Sequence, residues 1–460
     1  MTVAEMMWAF LALYGVLMFL ISPKFVDFAG YFRGTDAKGK DTSLTLLTAT
    51  IFISWIFAKS VTNAANLGAQ YGILGGLAYA TYWLCIPLAG FIIYRLRKKY
   101  NAKGLVPFLK KNYGPRASIF FTLAIFIRLF NEIWSNTTVV GGYFGASGST
   151  GFILASLIFT VITLGYSLRG GLRSAIVTDL IQSIIFLVFM LAVFLLVLPK
   201  RPLLSYTQTS SWTLQGGLDL LLVSLLQIFS YPFHDPVLTD RGFISDERKM
   251  VKAFVLSGLG GFLSILLFSF VGIYARQEGL ALTDNIPVVV AQSLGSVALI
   301  IMAVIMVSSA GSTLDSAFSS IAKLNAVDIP HIFGWRLTEK RMRQLAMLTM
   351  LVFAILGNLP LFFGTNILSA TTISGTMVMG FAPIFCLHGL VKPTKIGFHL
   401  SFWLGMLIGA LYSFNLITEA WALGQGDSAL LLGVNFYGLI LCTLGYVLPG
   451  LLTKTKKGRA

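Results

Sequence analysis

The sequence predicts an all-α integral membrane protein of about 13 transmembrane helices. Three observations carry that expectation. The 460 residues are 56% hydrophobic and only 11% charged. The mean hydropathy is +0.81, outside the range of water-soluble domains. The apolar residues also gather into runs of about 20, the length that crosses a bilayer as a helix. In order, the runs cover 5–22, 43–67, 72–97, 117–142, 150–168, 174–198, 214–238, 252–275, 287–322, 343–361, 365–391, 398–417 and 432–453. They form one membrane domain over 1–460.

The first run contains Glu5, has no basic residue ahead of it and has no convincing small-residue cleavage site. It reads as a retained span rather than a removed signal peptide. The second is apolar from Leu44 to Phe57 and then turns polar as AKSVTNAANLG. Glycines in GILGGLAYA of the third and GLGGFL of the eighth permit close helix approach in lipid. The fourth places Arg128 and Glu132 at i and i+4 beside Asn131, an arrangement suited to an internal ion pair. The seventh is apolar from Leu220 to Phe229 and then becomes SYPFHDP. Pro232 and Pro236 donate no backbone hydrogen bond, and Pro236 disfavours helical geometry at Asp235, so a break is expected there. The ninth contains SSAGSTLDSAFSSIAKLNAVDI from Ser308, a density of hydroxyls with a carboxylate at Asp315 that suits a cavity holding an ion or polar solute. Cys85, Cys386 and Cys442 lie in apolar runs without metal-ligand spacing and read as packing residues.

The net charge of +16 suggests nucleic acid until its distribution is considered. Basic residues concentrate in alternate loops: Arg95 to Arg116, then near Arg173, Lys249, Arg341 and Lys392, and finally Lys454, Lys456, Lys457 and Arg459. The intervening loops hold essentially Lys200, Arg201 and Arg276. The positive-inside rule then puts the N-terminus outside and the C-terminus in the cytoplasm of a multi-pass plasma-membrane protein, a bacterial inner membrane being the expected location. Runs 43–198 and 214–391 each hold five helices. An odd number gives the two halves opposite orientation, as in inverted-repeat carriers, with 5–22 ahead of the repeats and 398–453 after them.

GGLRSAIVTDLIQ from Gly170, the YPFHDPVLTDR break and the Ser308 segment together resemble motifs of the sodium:solute symporter family. The resemblance runs over nearly the whole chain. It implies a five-plus-five inverted-repeat core and solute uptake driven by inward sodium flow. Carried onto this chain, it implies a sodium site of the Ser308 and Ser309 hydroxyls with the backbone carbonyls of Ile305, Ile53 and Ile56. Hard cations favour such oxygen sets; the bland alternative is that the serines bond within their own helix. Asp179 takes the aspartate of the family's TD pair, where it assists ion release or else caps a helix near Arg169 or Arg173.

Two residues depart from the family pattern: Asp315 where asparagine is common, and Lys59 where a neutral or acidic residue is common. A lysine in a membrane is costly unless paired or wet. Lys59 is expected to pair with Asp315 or Asp235, to hold an anionic substrate group, or to stand where sodium would otherwise sit, which would make a sodium-independent or proton-coupled carrier.

Substrate contacts are expected between the broken helices, from Lys59, Ser60, Asn63, Tyr231, His234 and Asp235. Ser60 and Asn63 share a helix face, Tyr231 is the expected gate, and His234 is a contact or a packing residue. This cluster favours a charged or zwitterionic solute such as an amino acid or organic acid. The expected partners are that solute and membrane lipid, with no nucleic acid, in a monomer or weak homo-oligomer. A membrane sensor working with a separate partner is the second class of function. No catalytic arrangement has convincing spacing, so no enzyme is expected.

Overall fold

The computed structural model describes residues 2–24, 27–362 and 375–455. Among them every regular element is helical, apart from an isolated bridge between His388 and Val391. Among the described residues, nine helices are long and apolar enough to cross a membrane, and one bent pair adds a tenth. Three places separate this tally from the 13 expected spans. The runs 150–168 and 174–198 form one kinked element, 214–238 is interrupted, and 365–374 of the eleventh run lie outside the described residues. The basic tail at Lys456, Lys457 and Arg459 also lies outside them.

α1 (Val3–Ile21) begins on a capping box, with Thr2 and Glu5 each accepting the other's backbone N–H. It exposes Leu13, Val16 and Leu20, as a helix facing lipid would. α2 (Phe28–Arg33) is a short turn. α3 (Leu44–Trp55) and α4 (Ala58–Tyr71) are the bent pair. Ile56 (ψ 73°) and Phe57 (ψ 141°) leave helical geometry, and the axis turns by 57°. α5 (Ile73–Ala80) and α6 (Cys85–Tyr100) make one span, followed by α7 (Leu105–Tyr113) and α8 (Pro115–Gly141).

α9 (Thr150–Val197) kinks at Gly171, whose φ of +53° suits glycine and where a Cβ would press on the Tyr31 carbonyl of α2. After α10 (Leu203–Thr207) and α11 (Asp219–Gln227), the chain makes a tight 3₁₀ turn over Tyr231–His234 before α12 (Pro236–Thr239). α13 (Glu247–Gln277) runs against α4 so closely that a Cβ on Gly272 would overlap the Ala65 carbonyl.

The single helix expected over 287–322 divides at Gly295 (φ +101°) into α14 (Ile286–Leu294) and α15 (Ser296–Lys323). α15 is the axis of the molecule, and every residue from Met302 to Ala322 is buried. α16 (Ile329–Phe333), α17 (Glu339–Leu356), α18 (Phe381–Cys386), α19 (Lys395–Ser413) and α20 (Ala429–Thr455) complete the described helices.

Candidate functional site

All the site residues named from the sequence are buried, none more than 4% exposed. They fall into four neighbouring groups around the two helix breaks.

The first group is on α15. The Ser308 and Ser309 hydroxyls are buried and, among the described residues, neither has a hydrogen-bond partner. Serines in helix interiors commonly satisfy themselves on a carbonyl one turn back, as Thr313 does on Ser309 O at 3.1 Å. Thr313 also donates to Ser54 O at 3.4 Å, which brings this face of α15 against the α3–α4 break. There the Ile53 carbonyl accepts the Ile56 N–H at 3.0 Å. Ile305 is fully buried one turn before the serines.

One turn further along α15 lies a knot around Asp179 of α9. Its carboxylate accepts from Thr50, from Ser54 at 3.2 Å and from Ser312, and Arg241 Nη2 stands 3.3 Å away. Arg241 also donates to Thr50 at 2.8 Å, Ser316 at 2.6 Å, Ser54 at 3.2 Å and the Val237 carbonyl. Asp315 accepts from Thr178 at 2.8 Å and from Ser316 at 3.3 Å. Thus Asp179 and Asp315 share one hydroxyl-rich layer. Arg241 is the residue that sequence reasoning passed over. It closes the YPFHDPVLTDR segment, six residues beyond Asp235, where it was assigned no role of its own.

The third group contains four charges. Lys59 Nζ lies 2.7 Å from Glu132 Oε1 and donates to Asn131 at 3.2 Å. Arg128 pairs with Glu132 and, at 3.0 Å, with Asp235. All four ionised side chains are fully buried. Lys59 therefore meets neither Asp315 nor Asp235 but the glutamate of α8. The same stretch of α8 satisfies the α3–α4 break, since Asn136 Oδ1 accepts the Ala58 N–H at 3.0 Å and caps α4. Asp235 caps α12 through the Val237 N–H at 2.9 Å. Both helix starts at the breaks are thus tied to α8, one directly and one through Arg128.

The last group is aromatic and polar. Asn63 donates to the Tyr79 hydroxyl at 3.1 Å, and Tyr79 donates to Ser60 at 3.3 Å, so the shared face of Ser60 and Asn63 meets a tyrosine not named from the sequence. Tyr231 has its ring centroid 5.9 Å from Trp55, 5.6 Å from Tyr82 and 5.2 Å from His234, with Arg128 over its face at 5.3 Å. Behind Tyr82, Gln227 accepts its hydroxyl at 2.7 Å and donates to Asn435 at 2.9 Å.

A cavity approaches this centre from each end. One, of about 570 Å³, is lined by charged residues including Arg33, Arg97, Lys103, Asp240 and Lys323. The other, of about 600 Å³, reaches Thr62 and Asn63 and is lined mainly by uncharged groups, with Asp284 the one carboxylate in its lining. Above it Asn66 donates to Asp284 O at 2.8 Å and accepts the Ile286 N–H at 3.1 Å, closing α4 onto the segment before α14.

Among the described residues, apolar helices long enough to span a bilayer, with two helix breaks where polar groups converge and a cavity at either end, define a multi-pass membrane protein. No protein-family model matches the chain. Curated proteins similar to it are named as symporters, cotransporters and active transporters. It is 23% identical over 181 residues to the Urea-proton symporter DUR3 of Oryza sativa subsp. japonica, covering 38% of this chain and 25% of that protein. It is 27% identical over 164 residues to Sodium/glucose cotransporter 4 of Homo sapiens, covering 34% and 23%. The chain thus spans about a quarter of the length of these curated relatives. A Na+-coupled sialic acid symporter, solved in a substrate-bound outward-open state, superposes over 98% of both chains with a TM-score of 0.75 at 14% identity. MhsT in complex with L-phenylalanine superposes over 92% of this chain and 99% of its own, with a TM-score of 0.54 at 15% identity. These structural likenesses establish the fold.

Proposed function

We propose that this chain is a sodium-coupled symporter that takes up a small polar organic solute by alternating access. The observation that carries the reading is the pair of buried, unpartnered hydroxyls at Ser308 and Ser309, beside an interrupted helix in a symporter fold. Such oxygens suit a hard cation. With the carbonyls of Ile53, Ile56 and Ile305 they would make a five-oxygen set that carries no full charge of its own. A bound ion would join α3 to α15 and favour the arrangement in which the solute site is formed. Asp179, one turn along α15, would receive the ion on its way out, with Arg241 as the competing cation.

Charge distribution supports the orientation in which the basic vestibule faces the cytoplasm. Arg241 then closes the inner route, Asn66 the outer one, and Tyr231 stands between them. The matching breaks near residues 56 and 231 support two inverted repeats, 43–198 and 214–391.

A second reading has Lys59 as the resident cation of a proton-coupled carrier. The relative named as a urea-proton symporter lends it weight. Against it, the Lys59 ammonium is engaged by Glu132 and Asn131, while the serine hydroxyls are without partners. Uptake of labelled solute into proteoliposomes distinguishes the two. An inward sodium gradient is expected to drive accumulation at symmetric pH, and Ser308→Ala with Ser309→Ala to abolish it. Accumulation driven by a proton gradient in sodium-free buffer, unaffected by that double variant, would transfer the coupling to Lys59.

A further inference from the structure

The charge carried by the solute is legible at the junction of the two breaks. The two cations there, Lys59 and Arg128, face two carboxylates, Glu132 and Asp235, and each cation is paired with at least one of them. The quartet is neutral as a whole and fully buried. A carboxylate on the solute would have to take a cation from a buried partner, and an ammonium would have to take an anion. Both exchanges strand a charge away from water.

The unpartnered atoms beside the quartet are of a different kind. His234 Nδ1 lies 2.7 Å from the Tyr231 carbonyl, which only accepts, so Nδ1 carries the ring proton. Both neighbouring carboxylates are committed to Arg128 and Lys59, which leaves no counter-charge for a second proton on the ring. Nε2 is then a lone-pair acceptor on a residue 1% exposed, and it has no partner among the described residues. Trp55 Nε1 and Arg128 Nε, on side chains that also pack against the Tyr231 ring, are buried donors that lack a partner among the described residues. Trp55 and His234 each meet Tyr231 edge-on, at 88° and 85°, and Arg128 lies over its face. Buried polar groups are nearly always completed by protein, by water or by a bound molecule, so three orphans around one ring mark a place where a polar molecule is received.

We propose that the transported solute is a small neutral molecule that donates an N–H or O–H to His234 Nε2 and accepts hydrogen bonds from Trp55 Nε1 and Arg128 Nε. This rests on the transporter reading above and departs from the charged or zwitterionic solute that the sequence alone suggests. Amides, ureas and polyols meet the requirement. Acetate and putrescine do not.

The test is thermal stabilisation of the purified full chain in sodium by urea, acetamide, glucose, inositol, acetate and putrescine. Neutral compounds are expected to stabilise it, and tetramethylurea, which keeps the carbonyl and has no N–H, to fail where urea succeeds. His234→Leu should weaken neutral-solute binding by about 10-fold or more and leave sodium affinity unchanged. His234→Gln, which can present an oxygen acceptor, should retain most of the binding. Nitrogen-15 spectra of a variant keeping His234 as its sole histidine add a ligand-free readout, with an acceptor-type Nε2 expected. Acetate or putrescine as the tightest ligand, full affinity in His234→Leu, or a protonated Nε2 would each overturn the proposal. Neutral-solute binding without sodium-driven uptake would sink the transport reading alone, whereas sodium-driven uptake of acetate would sink only this one.

Discussion

At the scale of single residues, the groups that matter are those whose partners are missing and those whose partners are irreplaceable. Ser308 and Ser309 are of the first kind. Removing one hydroxyl that ligates an ion costs on the order of 1–3 kcal/mol, roughly tenfold in affinity or more. Each single alanine is therefore expected to weaken sodium binding about tenfold, and isothermal titration of the purified variants checks this. Glu132 is of the second kind, because it serves both Lys59 and Arg128. Glu132→Gln leaves two buried cations with only Asp235 between them, and its expected cost is about 3–5 kcal/mol. Adding Lys59→Met should recover part of that loss, because the surplus charge goes with it. Denaturation of the two single variants and the double closes that cycle, and additive losses would show the pair to be uncoupled.

At the scale of elements, the molecule is hinged where α3 gives way to α4 and where α11 gives way to α12. The second hinge is written in the chain by Pro232 and Pro236. The first has no proline and shows only as a change from apolar to polar composition after Phe57, and its physical support, the Asn136 cap, comes from a residue 78 positions away. The same distance in sequence hid Arg241. Its partners Thr50 and Asp179 are 191 and 62 residues off, so nothing local marks a guanidinium that ends up in the core. The division at Gly295 went unseen for another reason, since glycine is frequent within membrane helices and so does not by itself mark an end. Asn66 makes an element-scale prediction. It holds the vestibule lined by Thr62 and Asn63 with two hydrogen bonds to backbone, each contributing on the order of 1 kcal/mol. In a background free of native cysteine, Asn66→Ala should speed labelling of a cysteine at Thr62 by about tenfold. An unchanged rate would mean that this contact does not gate the vestibule.

At the scale of the whole molecule, the proposed ion and solute sites border the same helix breaks, and coupling between them would be thermodynamically reciprocal. Sodium should tighten solute binding by the same factor as solute tightens sodium binding, about 5- to 150-fold in typical coupled systems. Titrating each ligand at several fixed concentrations of the other measures both factors, and unequal ones would exclude a shared equilibrium. The membrane class, the positions of both breaks and the hydroxyl face of α15 were legible from hydropathy and composition. The Arg128–Glu132 pair was legible as i and i+4 neighbours, but its engagement with Lys59 and Asp235 was not, because three helices that are distant in sequence must first meet. That pairing also has an electrical meaning. On the proposed reading, a charge-balanced quartet and a neutral cargo would leave the coupling ion as the one net charge that each cycle moves across the bilayer. Voltage acts on it with about 2.3 kcal/mol per 100 mV. The resting potential alone would therefore concentrate solute roughly 50-fold for each sodium carried, and the inward current would count the molecules delivered.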